Sequence, residues 1–498
     1  MSTRQPLTDW SSRLGYYTLL AMLLFAPLFR SGKVPLAVMT LELLAIAALV
    51  LLLWRPRGLS SLALAERVLL LALLAVPLLQ LLPIPGLSRL SLPGQADYYT
   101  ALQLAGSDSW TTLSILPRET ALGWLVLLLP VAVYLLVRKL SVAQIRTALV
   151  LVFVMAAAQA VLGLLQYGTG PDSPFMAGMD ESGGLAKGTW RGRNSYANFL
   201  DMTLMVSLAL FMATLGRQRR DAGAQTLRQK LVYLSTLQGH KAFIYGALSV
   251  LLLLAVVFSR SRAGIGMAVV GILLVGTLFS RRIGGSNIYG LTGTVVSVVL
   301  ACGIAIGLGP VWERFAARDP MSDGRWTTFE GVISGIGQFF PFGAGSGTFE
   351  QVFPAFQALE QASVTMNQAH NSYLEWLFTA GVMGGLLIVG FLGLYVRRWF
   401  QVWKRGDWGD FRYIQVGAGL ALLLTLGHEM VDFHLFVPAN LVFFAFFAGI
   451  FFYPYEEPAP TAARRRTVTA DAGVERNRPV LQPVSPEPQS NPFMDEDS

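Results

Sequence analysis

Charge is what this sequence has least of. Only 14% of its 498 residues are Asp, Glu, Lys or Arg, where a soluble chain carries about a quarter. A water-facing surface cannot be built from so few charges, which excludes a soluble globular enzyme. One cysteine, Cys302, excludes an intramolecular disulfide and any cysteine-based metal cage. The apolar segments lack the alternation of membrane β-strands and are too long for them, which excludes a β-barrel. An internal repeat of the kind that marks a transporter's two halves is also missing.

What is present is apolar: 53% of residues, gathered in runs of about 20, each long enough to cross a hydrocarbon core of about 30 Å. The pattern predicts an all-α polytopic membrane protein of about twelve transmembrane helices. They fall near residues 14–30, 34–54, 67–85, 119–137, 145–167, 195–215, 242–259, 263–280, 289–309, 373–396, 413–431 and 435–453. The first is read as a retained helix rather than a signal peptide, since no small-residue cleavage site follows it.

The net charge of +8 lies largely in short loops and reports topology, not nucleic-acid binding. Arg55, Arg57, Arg67, Arg138, Lys139, Arg146, Arg217, Arg219, Arg220, Arg281, Arg282, Arg397, Arg398 and Arg412 share one side. By the positive-inside rule that side is the cytoplasm, and both termini lie there. Three long segments, 86–118, 168–194 and 310–372, fall on the opposite face. The last carries Trp312, Phe315, Trp326, Phe329, Phe339, Phe340, Phe349, Phe353 and Phe356, and is expected to form a small helical cap. Residues 454–498, rich in Pro, Glu, Arg and Ser, are expected to be a disordered cytoplasmic tail, leaving 1–453 as the transmembrane domain.

Against that rule, arginines cluster at helix mouths on the outer side: Arg191 and Arg193, Arg260 and Arg262, and Arg325. The planar guanidinium fork suits phosphate oxygens, so such a group fits a lipid-linked pyrophosphate; each could equally anchor a helix end among headgroups. His370, followed by Asn371 at the mouth of an apolar helix, has three possible roles: a structural histidine, a metal ligand, or a general base, a task for which imidazole chemistry is suited. Intramembrane ionisable groups are functional candidates by default. No second His or carboxylate stands at ligand spacing beside it in sequence, which argues against a metal, and Asn371 could orient it. A second knot, His428, Glu429, Asp432 and His434, is not the zinc-protease motif, because that motif needs histidines at i and i+4. On a continuous helix His434 would sit roughly 240° from His428, whereas His428 and Asp432 would share a face as a buried pair.

The pattern His370-Asn371, nine residues, Gly381-Val382-Met383-Gly384 resembles the motif of the O-antigen ligase and polymerase superfamily. So do four other stretches in the same order: Gly188 to Met202 with its Arg193-Asn194 step, Ser261-Arg262-Ala263-Gly264, Asp323 to Trp326 followed by Pro341 to Phe349, and His428 to Asn440. The resemblance covers roughly 185–450. It implies a GT-C-like membrane glycosyltransferase of a bacterial inner membrane, with its active site facing the periplasm. Such an enzyme moves a glycan from an undecaprenyl-pyrophosphate donor to an acceptor hydroxyl, with inversion, and with no metal or other cofactor. Carried over by position, His370 activates the acceptor and Arg193, Arg262 and Arg325 hold the pyrophosphate. Arg191 and Arg260 are neighbouring candidates, while Asn371, Asn194 and Asp432 orient substrate. The doubling at 191/193 and 260/262 leaves open which arginine dominates.

The acceptor could be a growing glycan, a lipid A core, or a protein hydroxyl, as in a protein O-oligosaccharyltransferase; besides these, the expected partners are membrane lipids. From another class, a lipid or polysaccharide transporter would use the arginines as an anionic path. Its sites, however, lie at the midplane rather than one face. A cell-wall glycosyltransferase would rely on an outer carboxylate, for which Asp319, Asp323 and Glu350 are the candidates.

Overall fold

The computed structural model describes residues 10–54, 62–85, 92, 94–106, 110–170, 174–176, 185–221, 236–280, 324–403 and 408–456. Those up to Tyr453 form one compact unit. The expected span at 289–309, Cys302, Asp319 and Asp323, and all but the first three residues of the 454–498 tail lie outside the described residues.

Helices dominate. They are α1 (Trp10–Phe25), α2 (Pro35–Leu53), α3 (Leu64–Gln80), α4 (Ala96–Leu104), α5 (Pro117–Lys139), α6 (Val142–Thr169), α7 (Arg193–Asp221), α8 (Leu237–Phe258), α9 (Arg262–Ser280), α10 (Arg325–Phe339), α11 (Ser372–Val402), α12 (Asp410–His428) and α13 (Pro438–Phe451). One two-residue antiparallel pair, Ile84 opposite Thr111 and Pro85 opposite Trp110, clips the segment after α3 to the one before α5. Among the described residues, seven helices are long and apolar enough to cross a membrane: α2, α5, α6, α7, α8, α9 and α11. The chain is therefore a helical polytopic membrane protein. Four other expected spans coincide with α1, α3, α12 and α13. Of these, α1, α3 and α13 have 16, 17 and 14 residues, and α12 carries a polar first turn.

Local chemistry accounts for the helix limits. Proline at the first position opens α2, α5 and α13, where its fixed φ fits and no amide is lost. Ser141 and Gln144 form a reciprocal capping box on α6, satisfying two orphan amides. The centre of the bundle is α7, whose apolar window is 89% buried against 22% for α2. It packs between α8 and α12, while α13 lies on α5. Asn194 and Ser195, at the mouth of α7, thereby reach the segment that follows α12.

The glycine-rich stretch after α10 is sewn into α11. Ala344 N–H donates to Phe378 O, Gly345 N–H to Thr379 O, and Val382 N–H to Pro341 O, each at 2.9 Å. These bonds need α11 to open, and it does so at Gly381 (φ 57°, ψ −142°). A Cβ there would stand 2.0 Å from Pro341 O, so glycine is required by both conformation and space. Gln80 at the end of α3 completes the seam: its amide donates to Phe342 O and Thr379 O at 3.0 Å and accepts from Ser346 N–H at 2.8 Å. Of the aromatics expected in the cap, Phe339, Phe349, Phe353 and Phe356 pack around Phe378, while Trp326 and Phe340 are exposed. Trp312 and Phe315 lie outside the described residues.

Candidate functional site

His370 occupies the left-handed region (φ 54°), a conformation that costs a non-glycine residue about 1–3 kcal/mol and persists only when its surroundings enforce it. The neighbours do enforce it. Before it, Ala369 N–H donates to the buried Glu375 carboxylate at 2.8 Å. After it, Asn371 caps α11, its side-chain oxygen accepting from Tyr373 and Leu374 N–H at 3.1 Å. Ser372 donates its hydroxyl to the Glu429 carboxylate and its amide to Glu429 O at 3.0 Å. Two buried glutamates thus hold the backbone on both flanks of the histidine. Its side chain remains 33% exposed, open to a substrate.

Asp432 is the hub. It follows the turn that ends α12, and its carboxylate is almost wholly buried. Asn194 donates to Oδ2 at 2.5 Å and Phe433 N–H to Oδ1 at 3.0 Å. The Arg325 guanidinium stands 3.9 Å from Oδ2, and His370 Nδ1 stands 3.7 Å from Oδ1. Burial favours the neutral acid, but the imidazoles of His434, His370 and His428 outweigh it and hold Asp432 well below the usual carboxylate range. Burial pushes His434 down to about 4 despite Asp432. At neutral pH the carboxylate is therefore charged and the His434 ring neutral. The Phe433 ring packs against His370, centroids 4.8 Å apart.

Beneath this mouth, between α3, α5, α11 and α13, lies a cavity of about 400 Å³. Its polar end is made by Ser346, Gln368, Ser372 and Glu429; its depth is lined by Leu69, Leu73, Leu387 and Phe444, and it runs as far as Tyr134 and Phe452. The slot is largely apolar and reaches the residues that fix His370.

His428, Asp432 and His434 could together hold a metal ion, their ligand atoms lying within 4.8 Å of one another. The helical-wheel argument that separated His428 from His434 fails because α12 ends at His428 and the chain folds back. The two rings meet edge to face, centroids 4.1 Å apart. Nor do His428 and Asp432 form the expected pair: both His428 ring nitrogens lack a partner among the described residues, and Asp432 turns to Asn194, Arg325 and His370. That donor set suits an ion-pair hub better than a metal. Both carboxylate oxygens already receive donors, and a guanidinium at 3.9 Å would oppose a dication.

Of the residues singled out in the sequence, His370, Asn194, Arg325 and Asp432 meet directly. Arg191 and Arg193 stand at the mouth of α7 and Arg262 opens α9, whose Gly264 touches Ala197 of α7. Arg260, also left-handed (φ 54°), lays its guanidinium over the Tyr167 ring at 5.5 Å. Lys33, Glu375 and Phe433 were not legible as site residues. The glutamate in the first turn of α11 is the only one with a local signal, an intramembrane carboxylate five residues from the histidine.

No curated protein matches the chain. The family model for O-antigen ligase matches residues 247–389, a stretch that contains Arg260, Arg262, Arg325, His370 and Asn371, while Arg193, Asn194 and Asp432 lie beyond its ends. This stretch is similar to the O-antigen ligase family, the same superfamily the sequence motifs resemble.

Proposed function

We propose that the protein transfers a glycan from an undecaprenyl-pyrophosphate donor to an acceptor hydroxyl at the periplasmic face of the inner membrane, as an O-antigen ligase or an O-antigen or exopolysaccharide polymerase. The observation that carries this reading is one buried carboxylate, Asp432, facing both a half-open histidine and an arginine above a lipid-sized apolar cavity.

The chemistry follows from that arrangement. His370, with Nδ1 toward Asp432, presents Nε2 to the acceptor and takes its hydroxyl proton. The acceptor oxygen attacks the anomeric carbon on the face opposite the pyrophosphate. The carbon–oxygen bond to the pyrophosphate breaks with inversion, and the lipid pyrophosphate leaves with the electron pair. Asp432 stabilises the imidazolium, as a carboxylate does for a base histidine. Its present 3.7 Å separation is typical of catalytic contacts that tighten only with substrate. The charge growing on the pyrophosphate is met by Arg325, with Arg193 and Arg262 at neighbouring helix mouths. Preorganised groups of this kind supply several kcal/mol without a metal. Asn194 keeps Asp432 in place.

The test is complementation of a deletion strain with wild type or His370→Ala, reading lipopolysaccharide, secreted or capsular polymer, and glycoprotein side by side. Loss of one glycan class that only wild type restores supports transfer and names the acceptor, a protein included. Full restoration by His370→Ala rejects the base assignment.

A further inference from the structure

The chain between α1 and α2 does something costly. After Pro27, three consecutive non-glycine residues, Phe29, Arg30 and Ser31 (φ 52°, 58° and 60°), and then Gly32 (φ 76°) all lie in the left-handed region. Each such residue other than glycine is disfavoured, and such strain survives where the surrounding packing enforces it. The turn is wedged in place: a Cβ on Gly32 would stand 3.2 Å from both Leu41 and Pro438. Thr189 donates its hydroxyl to Pro27 O at 2.5 Å, tying the turn to the segment that carries Arg191.

The result of this geometry is the placement of Lys33. Its ammonium stands 5.2 Å above the Phe433 ring, the same ring that packs against His370. Among the described residues no carboxylate comes within ion-pair distance of it. Burial lowers its pKa, and so does the charge of Arg191; Asp432, Glu375 and Glu350 only partly offset this. The π face is a weak partner, worth about 0.5–2 kcal/mol, and Asp432 is already shared by Arg325 and His370. A half-buried ammonium held beside a guanidinium, with no carboxylate of its own, is a site built for an anion that arrives with a ligand.

We infer that Lys33, set beside Arg191 by the strained Pro27–Lys33 turn, binds a phosphate of the lipid-linked donor, so that the N-terminal hairpin, far outside the matched family segment, completes the donor site. This rests on the proposed pyrophosphate donor. A lysine suits the task because its three donors reorient around a phosphate as a point charge.

The test uses the full-length protein in lipid nanodiscs with two probes: geranylgeranyl pyrophosphate, and geranylgeraniol, which has the same chain and no charge. Calorimetric titration is run on wild type and on Lys33→Gln. The expected result is that the variant binds the pyrophosphate about tenfold or more weakly, the loss of one charge-assisted contact, and binds the alcohol as wild type does. Equal pyrophosphate affinity in the two proteins overturns the inference and leaves the donor reading standing. An equal loss for both probes also overturns it, since Lys33 would then be shaping the cavity. If wild type binds the alcohol but does not prefer the pyrophosphate, or binds neither probe, the donor reading fails and takes the inference with it.

Discussion

The two ends of the helical bundle both collect arginines and treat them differently. At the end away from His370, Arg138, Arg398 and Arg412 are matched. Arg138 lies 2.6 Å from Glu66 and 2.7 Å from the Tyr134 hydroxyl. Arg398 donates to Phe451 O and Tyr453 O, and Arg412 to Gln415. Gln415 in turn donates to Tyr453 O, and the Tyr453 hydroxyl to Leu140 O. At the His370 end one carboxylate, Asp432, faces Arg325 and His370 together at 3.9 and 3.7 Å, and Lys33 rests on an aromatic face. The first arrangement is closed and ties α3, α5, α11, α12 and the segment after α13 together. In the second, one buried carboxylate is shared by a histidine and an arginine. One set of cations ties helices together; the other gathers around a single acid at the mouth.

Substitutions can break that contrast, the most damaging first. His370→Ala is expected to abolish glycan transfer, general-base catalysis being worth about 10² to 10⁴ in rate, while the thermal midpoint of the purified protein stays near that of wild type. Asp432→Asn keeps the shape but removes the charge that stabilises the imidazolium. Turnover should fall about 100-fold or more, with expression and folding retained; unchanged turnover in vesicles would make Asp432 a purely structural hub. At the other end the signs reverse. Arg138→Ala leaves Glu66 and Tyr134 without their cation and should cost about 3–5 kcal/mol of stability, seen as a lower unfolding midpoint, yet transfer per folded molecule should be normal. Equal activity loss at the two ends would erase the distinction.

The mildest probe is pH. Burial depresses His434 from 6.5 to about 4, so the unfolded chain takes up this proton first as pH falls. The stability linked to this ring is fully present above about pH 6.5 and declines toward pH 4. Asp432, also depressed, adds its own loss only at lower pH. The His434 contribution is read as a difference: the gap in thermal midpoint between wild type and His434→Asn should shift against wild type as pH falls from 7 to 4.

The spaced motif was legible because its parts act locally. Asn371 caps the helix that follows it, and Gly381 is needed where a loop carbonyl comes within 2.0 Å of a would-be Cβ. His434 was misplaced because a helical wheel assumes a continuous helix, and α12 stops at His428. Lys33 was invisible for a different reason: it is about 400 residues from Phe433, and nothing in a Gly-Lys-Val-Pro step announces that it will meet an aromatic ring. Glu375 and Glu429 likewise look alike in sequence, two carboxylates in apolar surroundings. Only their bonds to Ala369 and Ser372 reveal them as the two sides of one clamp on His370.

By itself, the sequence determined that this chain lives in a membrane as helices, because apolar runs of that length have no other stable place and every backbone amide there must be paired internally. It also carried the resemblance that the family model matches over residues 247–389, because a cap, a kink and a histidine must keep fixed spacing along one helix. Which charges would meet, and around which acid, was decided only by tertiary structure. Coulomb interactions depend on distance and burial rather than order along the chain, and the residues around Asp432 come from five separate parts of it.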